Sequence, residues 1–143
     1  METTVSDLVR MSISMEPELH ERLEALLAKS TAVNRSEFIR DLIRDQLVAR
    51  EWEADTEVLG TITYIYDHGA RELSRKLTSL QHHDHDRILV TTHLHLDHHL
   101  CAEIVVARGT ASQIRAIADR IGRQKGVLHL ALSMSSTGRQ LRG

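Results

Sequence analysis

The chain has 143 residues, with 18 Lys+Arg against 20 Asp+Glu and a formal net charge of −2. At roughly 100–200 residues per domain this length holds one ordinary domain or two small ones, which excludes a large multidomain enzyme. Apolar residues reach 41%, which excludes disorder, and no apolar run approaches the ~18 residues of a membrane span. The lone cysteine, Cys101, cannot form an internal disulfide, and the polar, acidic stretch from Met1 to Arg10 does not read as a signal peptide. A soluble, cytoplasmic protein with no membrane partner is expected. Aromatics are scarce at 3%, whereas histidines number 10. Seven of them (His82, His83, His85, His93, His95, His98 and His99) fall within 18 positions, which is the first functional clue.

In chain order, Met11, Ile13 and Met15 alternate with Ser12 and Ser14, the period of a half-buried strand. Glu16 precedes Pro17, whose missing N–H costs nothing at a first helical position. Leu19, Leu23, Leu26 and Leu27 then recur at helical spacing through Ala28. After a break at 30–33, Asn34 is placed to cap a second helix, and Glu37 to reach back to it as a capping box. Phe38, Ile39, Leu42, Ile43 and Leu47 form the apolar stripe of that helix, which runs to about Arg50. Residues 9–50 therefore read as strand–helix–helix. A lone strand leaves its backbone groups unpaired, and a segment of about 40 residues buries too little core by itself. A twofold dimer, with two copies of Met11–Met15 forming an antiparallel ribbon over four helices, resolves both problems.

Residues 51–56 carry three acids and can extend the second helix or act as a linker; the boundary is drawn near Asp55, with 51–56 as the linker. Residues 57–134 follow another rhythm. Val58–Tyr66 is β-rich, and Ala70–Leu80 is helical, with Leu73, Leu77 and Leu80 on one side. Ile88–Leu96 and Cys101–Ala107 read as a hairpin. Thr110 caps a helix holding Ile114, Ile117, Ala118 and Ile121, which stops before Gly126, and Val127–Met134 closes as a strand. This βαββαβ order is the ferredoxin-like unit, so the fold class is α+β. Residues 135–143 read as a disordered tail.

With Met11, Ile13 and Met15 facing a core, Arg10, Ser12 and Ser14 face outward. A two-stranded ribbon fits the DNA major groove, where hydroxyls and an arginine can address base edges. The helix start at Asn34, Arg35 and Ser36 offers backbone N–H groups and side-chain donors, suited to phosphate. The plain alternative is that a strand with one apolar face has a polar opposite face. Residues 1–50 hold seven Lys/Arg against nine Asp/Glu, so there is no global basic footprint and affinity for DNA must be aided by a second signal.

His93 and His95 are two apart in an expected strand, so both imidazoles share a face. A connection at Leu96–Leu100 returns the chain to Cys101, so two imidazoles and a thiol can converge from one hairpin. Such ligands suit Ni, Cu or Zn and disfavour Mg or Ca. His82, His83 and His85 follow the preceding helix and can reach this hairpin or a partner subunit. The alternatives are a solvated loop for His83 and His85 and simple core packing for Cys101. His98 and His99 lie in the turn, exposed or weakly metal-binding, and His20, His68 and His129 read as structural. Asp97 and Glu103 complete no hydrolytic motif such as HExxH, so the chain is not expected to be an enzyme.

Together the two halves resemble the NikR nickel-responsive transcriptional regulators over residues 9–134. The resemblance is carried by Met11–Met15, Asn34–Glu37, Thr63–His68, Ser79–His85 and His93–Glu103, and the His-x-His…Cys spacing after Gln81, His82 and His83 is its most specific part. It implies a ribbon-helix-helix DNA-binding domain followed by an ACT-like domain that binds metal and forms a homotetramer. It further implies one nickel ion per subunit, held by His93, His95 and Cys101, with His82 of the subunit across the interface completing a square plane. Arg10, Ser12 and Ser14 match the family's base-reading positions, and Asn34, Arg35 and Ser36 its phosphate contacts on double-stranded operator DNA. Glu37 and Asp41 fall where the family places a second, monovalent cation between its domains. Two serines stand where threonines are familiar, and about seven extra residues precede the strand. The implied activity is repression of nickel-uptake genes by nickel-loaded protein. Alternatives are a copper, zinc or cobalt sensor on this architecture, a metal-storage protein, and, more remotely, an antitoxin.

Overall fold

The structure, a computed structural model, describes residues 8–142; the extension before Leu8, and Gly143, lie outside the described residues. The chain divides into two compact units, one running to Gln46 with Leu141 and Arg142, the other spanning Leu47–Gln140.

In the first unit, residues 8–16 make no strand pairing within the chain, in contrast to the strand expected at Met11–Met15. The physical reason is plain: a strand is defined by a hydrogen-bonded neighbour, and none of the described segments supplies one. Helix α1 spans Pro17–Lys29 and α2 spans Arg35–Glu53. Pro17 takes the first helical position, after Glu16 in extended conformation. Ser30 closes α1, its N–H and hydroxyl both donating to the Leu27 carbonyl, at 3.0 and 2.8 Å. At the start of α2 the Glu37 N–H donates to Asn34 Oδ1 at 2.9 Å, as expected of a cap. The Glu37 carboxylate, however, accepts the N–H of Val33 at 3.1 Å, one residue earlier than a capping box requires. No residue of α1 is buried, and among the described residues of this unit Phe38 alone is.

The second unit begins inside α2. Residues 51–53, read from sequence as part of a linker, are the last turn of this helix, and Trp52 is only 2% exposed. Its ring is core, and its Nε1–H donates to the Ser135 carbonyl at 2.8 Å. An indole that buries its rings and satisfies its one donor anchors a chain far more firmly than a linker would. The remaining elements are β1 (Glu57–Asp67), α3 (Leu73–His83), β2 (Ile88–His95), β3 (Leu100–Thr110), α4 (Ala111–Gly122) and β4 (Val127–Ser135). This is the expected βαββαβ order. Ser135 is the last residue of β4 rather than the first of a disordered tail, and 138–141 form a turn.

The sheet is antiparallel, ordered β2-β3-β1-β4. Along β1 burial alternates strictly, with Val58, Gly60, Ile62, Tyr64 and Tyr66 turned to the core. Val105 and Ala107 of β3 lie opposite Ile62 and Gly60, and Ile114, Ile117 and Ile121 of α4 cover them. At Gly60 a Cβ would stand 2.6 Å from Ile114 Cγ2, so the absent side chain sets how closely α4 lies on the sheet. Thr110 and Gln113 form a capping box at the start of α4. Asp55 adds a second cap, taking the Ser112 N–H at 2.6 Å and its hydroxyl at 2.9 Å. These hydrogen bonds hold the Asp55 carboxyl below the usual Asp range. The core covers β1 and β3, whereas edge strand β2 is exposed along nearly its whole length. Among the described residues no helix is long and apolar enough to cross a membrane.

Candidate metal centre

The exposed strand β2 carries His93 and His95. In the β2–β3 register His95 faces Cys101 and His93 faces Glu103, so all four project from the helix-facing side of the sheet. The turn that returns the chain is tight. Leu96 N–H donates to the Leu100 carbonyl at 2.9 Å, and Asp97 Oδ1 accepts the N–H groups of His99 and Leu100, both at 2.7 Å. This is a side-chain turn of the kind Asp favours, and those hydrogen bonds lower the Asp97 pKa.

Through this hairpin, one ligand atom each from His93, His95 and Cys101 lies within 4.8 Å of the others. Cys101 is fully buried, with Sγ 3.5 Å from His95 Nδ1. Two borderline imidazoles and a soft thiol fit a late first-row transition metal; no hard oxygen donor stands among them. The sequence expectation for these three residues thus meets a converged geometry.

Behind the imidazoles lies a layer of hydrogen bonds. His93 Nδ1 is 3.1 Å from Glu103 Oε1 and 3.3 Å from the Tyr66 hydroxyl. A carboxylate can only accept, so the hydrogen sits on Nδ1 and Nε2 is the nitrogen left for a metal. Glu103 Oε2 accepts the Tyr64 hydroxyl and, at 2.8 Å, Gln81 Nε2. Gln81 Oε1 in turn accepts the Thr91 hydroxyl at 3.1 Å. Burial, and then the Glu103 charge, push the Tyr66 phenol up to about 12; burial and the Glu103 hydrogen bond raise Tyr64 further. Both phenols therefore stay protonated donors at neutral pH. The two tyrosines had no local signal: they sit on β1, and only the β1–β3 register sets Tyr64 opposite Glu103 and Tyr66 opposite Cys101. The period-two pattern through Tyr64 and Tyr66 would have marked them as sharing a face, but not with which strand.

His82 lies in the last turn of α3, exposed, and is not among the converging atoms. His83 is likewise exposed, and His85 bonds locally, its Nδ1 3.0 Å from the His82 carbonyl oxygen and its Nε2 2.9 Å from Asp86. The His68 ring stands edge-on to His95, centroids 5.8 Å apart, while His98, His99 and His129 are exposed. Of the residues expected to meet DNA, Arg10, Ser12, Ser14, Asn34, Arg35 and Ser36 are all exposed. Asn34 already caps α2, and Arg35 donates Nε–H to Glu24 of α1, which raises its pKa and lowers that of Glu24. Asp41 pairs with Arg44 at 3.1 Å, and Glu37 serves the helix start as described above.

A two-helix unit followed by a ferredoxin-like domain with a histidine–cysteine cluster has the elements of a metal-responsive, DNA-binding regulator. Residues 9–50 match the ribbon-helix-helix protein family of copG type, and residues 59–135 match the NikR C terminal nickel binding domain. Among relatives, a protein of Caldanaerobacter subterraneus subsp. tengcongensis named as a nickel-responsive regulator is 47% identical over 135 residues, covering 94% of this chain and 88% of that one. One from Pyrococcus abyssi, named likewise, is 46% identical over 136 residues, covering 94% and 99%. An uncharacterized protein from Thermotoga maritima shares the fold alone, with a TM-score of 0.50 at 15% identity, covering 55% of this chain and 96% of that one. The chain belongs to the NikR family of nickel-responsive regulators.

Proposed function

We propose that this chain is a nickel-dependent transcriptional regulator that binds operator DNA through its first unit and nickel through its second. The observation that carries this reading is the convergence of His93, His95 and Cys101 within 4.8 Å, with His93 oriented by Glu103. These three residues hold one nickel ion per subunit, and His82 of a neighbouring subunit supplies the fourth ligand. Exposure of both imidazoles on an uncovered edge strand, and of His82 on a different element, supports a site closed only by assembly.

A homotetramer follows from the same logic. On the face of the sheet away from the helices, Val90 and Leu94 are 50% and 42% exposed and share that face with Ile104 and Val106. An apolar sheet face of this kind is covered by another copy. In the first unit, paired Met11–Met15 strands set Arg10, Ser12 and Ser14 toward base edges, while Asn34, Arg35 and Ser36 contact phosphate. Glu37 and Asp41 are the carboxylates for a second, monovalent cation. Nickel, when bound, ties subunits together, and because it favours the assembled state it shifts the protein toward the arrangement competent for DNA. The regulated genes are those of nickel uptake, repressed in nickel, and the protein works in the cytoplasm as a regulator rather than an enzyme.

Titrating metal-free protein with nickel, and repeating the titration on Cys101→Ala, tests this. A near-ultraviolet thiolate-to-nickel absorption that saturates at one metal per chain, vanishes in the variant and accompanies nickel-dependent retention of operator DNA is expected. A spectrum unchanged in Cys101→Ala, or DNA binding indifferent to nickel but responsive to copper or zinc, would overturn it.

A further inference from the structure

The end of α3 carries an acid where helix electrostatics disfavour one. Asp84 is the C-cap, immediately after His82 and His83, and a negative charge there opposes the helix dipole. Yet Asp84 is one of two buried charged residues among those described, at 5% exposure. Its carboxylate takes a hydrogen bond from Arg120 Nη2 in the last turn of α4, and Arg87 Nη1 stands 3.7 Å away. Its backbone is equally engaged. The Asp84 N–H donates to the Gln81 carbonyl at 3.2 Å, and the Asp84 carbonyl accepts the N–H groups of Arg87 and Ile88 at 2.9 and 3.1 Å. One residue thus joins the end of α3, the end of α4 and the first residue of β2.

We infer that the Asp84–Arg120 pair is a positioning device for the nickel ligand His82, and that nickel affinity depends on it; this rests on the reading of His82 as a ligand. The last turn of a helix opens at little cost unless something holds it. A ligand displayed from a frayed turn binds with affinity reduced by the fraction of time the turn is formed. His82 and His83 occupy that turn and, being exposed, have no packing of their own to fix it. The staple lies one residue beyond the helix, and its arginine is anchored on an element whose Ile114, Ile117 and Ile121 are core. The pair therefore transfers the rigidity of the α4 core to the tip of α3. It also fixes that tip relative to the start of β2, the strand that bears His93 and His95. A purely structural ion pair would serve the fold wherever it lay; this one lies where a ligand must be held.

Four full-length proteins test the inference: wild type, His82→Ala, Arg120→Met and Arg120→Lys. Nickel affinity is measured by chelator competition, the thiolate-to-nickel spectrum is recorded, and metal-free melting is followed separately. Arg120→Met is expected to lose about 10–100-fold in nickel affinity, the range for residues that orient metal ligands, and to give a spectrum shifted toward that of His82→Ala. Arg120→Lys, which keeps a cation, is expected to recover most of the loss. If Arg120→Met binds nickel within twofold of wild type with an unaltered spectrum, whatever its melting temperature, while His82→Ala is impaired, the positioning role is overturned and the ligand reading stands. Should His82→Ala itself bind nickel as wild type does, both fall. Where Arg120→Met does not fold, Asp84→Asn in the same assays decides between the same outcomes.

Discussion

The two units have similar sequence patterns and opposite interiors. In α4 the apolar positions Ile114, Ile117 and Ile121 are 0–2% exposed, whereas in α1 and α2 Leu19, Leu26 and Ile43 remain 51–56% exposed. Both sets recur at helical spacing, so the difference is not one of amphipathicity. It is one of what lies opposite. The second unit brings its own four-stranded sheet to cover α3 and α4. In the first, residues 8–16 have no strand partner among the described residues. One unit covers the apolar faces of its helices within the chain, and the other leaves them exposed. The same contrast recurs inside the second unit, where β1 is buried on alternate residues and β2, bearing the histidines, is bare. Exposed apolar and histidine-bearing surfaces gather on the first unit and on this edge strand, and such surfaces are the usual places of interaction.

The contrast can be broken most strongly at its two extremes. Trp52→Ala should cost the second unit about 3–5 kcal/mol, read by denaturant unfolding of metal-free protein, because it empties a buried indole site and orphans the Ser135 carbonyl. Ile13→Asp would be nearly neutral, within about 0.5 kcal/mol, were that residue truly a surface residue of a monomer. As half of an intersubunit core it should instead abolish dimerisation of the first unit and with it DNA retention, while nickel binding persists. DNA binding preserved in Ile13→Asp would break the comparison.

Smaller effects sharpen it. Glu103→Gln should lower nickel affinity by about tenfold, because the carboxylate that holds the His93 Nδ1 hydrogen loses its charge; a chelator competition assay reads this, and unchanged affinity would reduce Glu103 to packing. The smallest effect concerns Asp55. Its folded pKa lies below the ordinary 3.8, chiefly because of the Ser112 backbone and hydroxyl hydrogen bonds. Its contribution is therefore fully present above that ordinary value and is lost as pH falls through the folded one. Melting temperature followed against pH should show a slightly steeper acid decline in wild type than in Asp55→Asn. Identical slopes would place the capping of α4 on Thr110 alone.

Much of this was legible from spacing. The βαββαβ order, Thr110 as a cap and the same-face placement of His93 and His95 all follow from local periodicity. Other features were not. The sequence left residues 51–56 between helix and linker, because acids flank Trp52 on both sides, and the core that takes its rings and the Ser135 carbonyl that takes its N–H come from distant segments. Nor could Tyr64, Tyr66 and Gln81 be assigned to the histidine–cysteine cluster, since strand order and register bring them to Glu103 and His93.

The sequence by itself determined that His93 and His95 share a face, since a strand's period of two dictates that they point the same way. It also determined the one-sided apolar stripes of α1 and α2, which follow from helical spacing alone. Tertiary structure alone decided how the histidines are supported. The network behind His93 and the Asp84–Arg120 staple join residues from up to four elements, and such partners are set by the register and packing of segments far apart in the chain. Local periodicity fixes the face on which a side chain stands; only the assembled sheet and helices fix what it meets there.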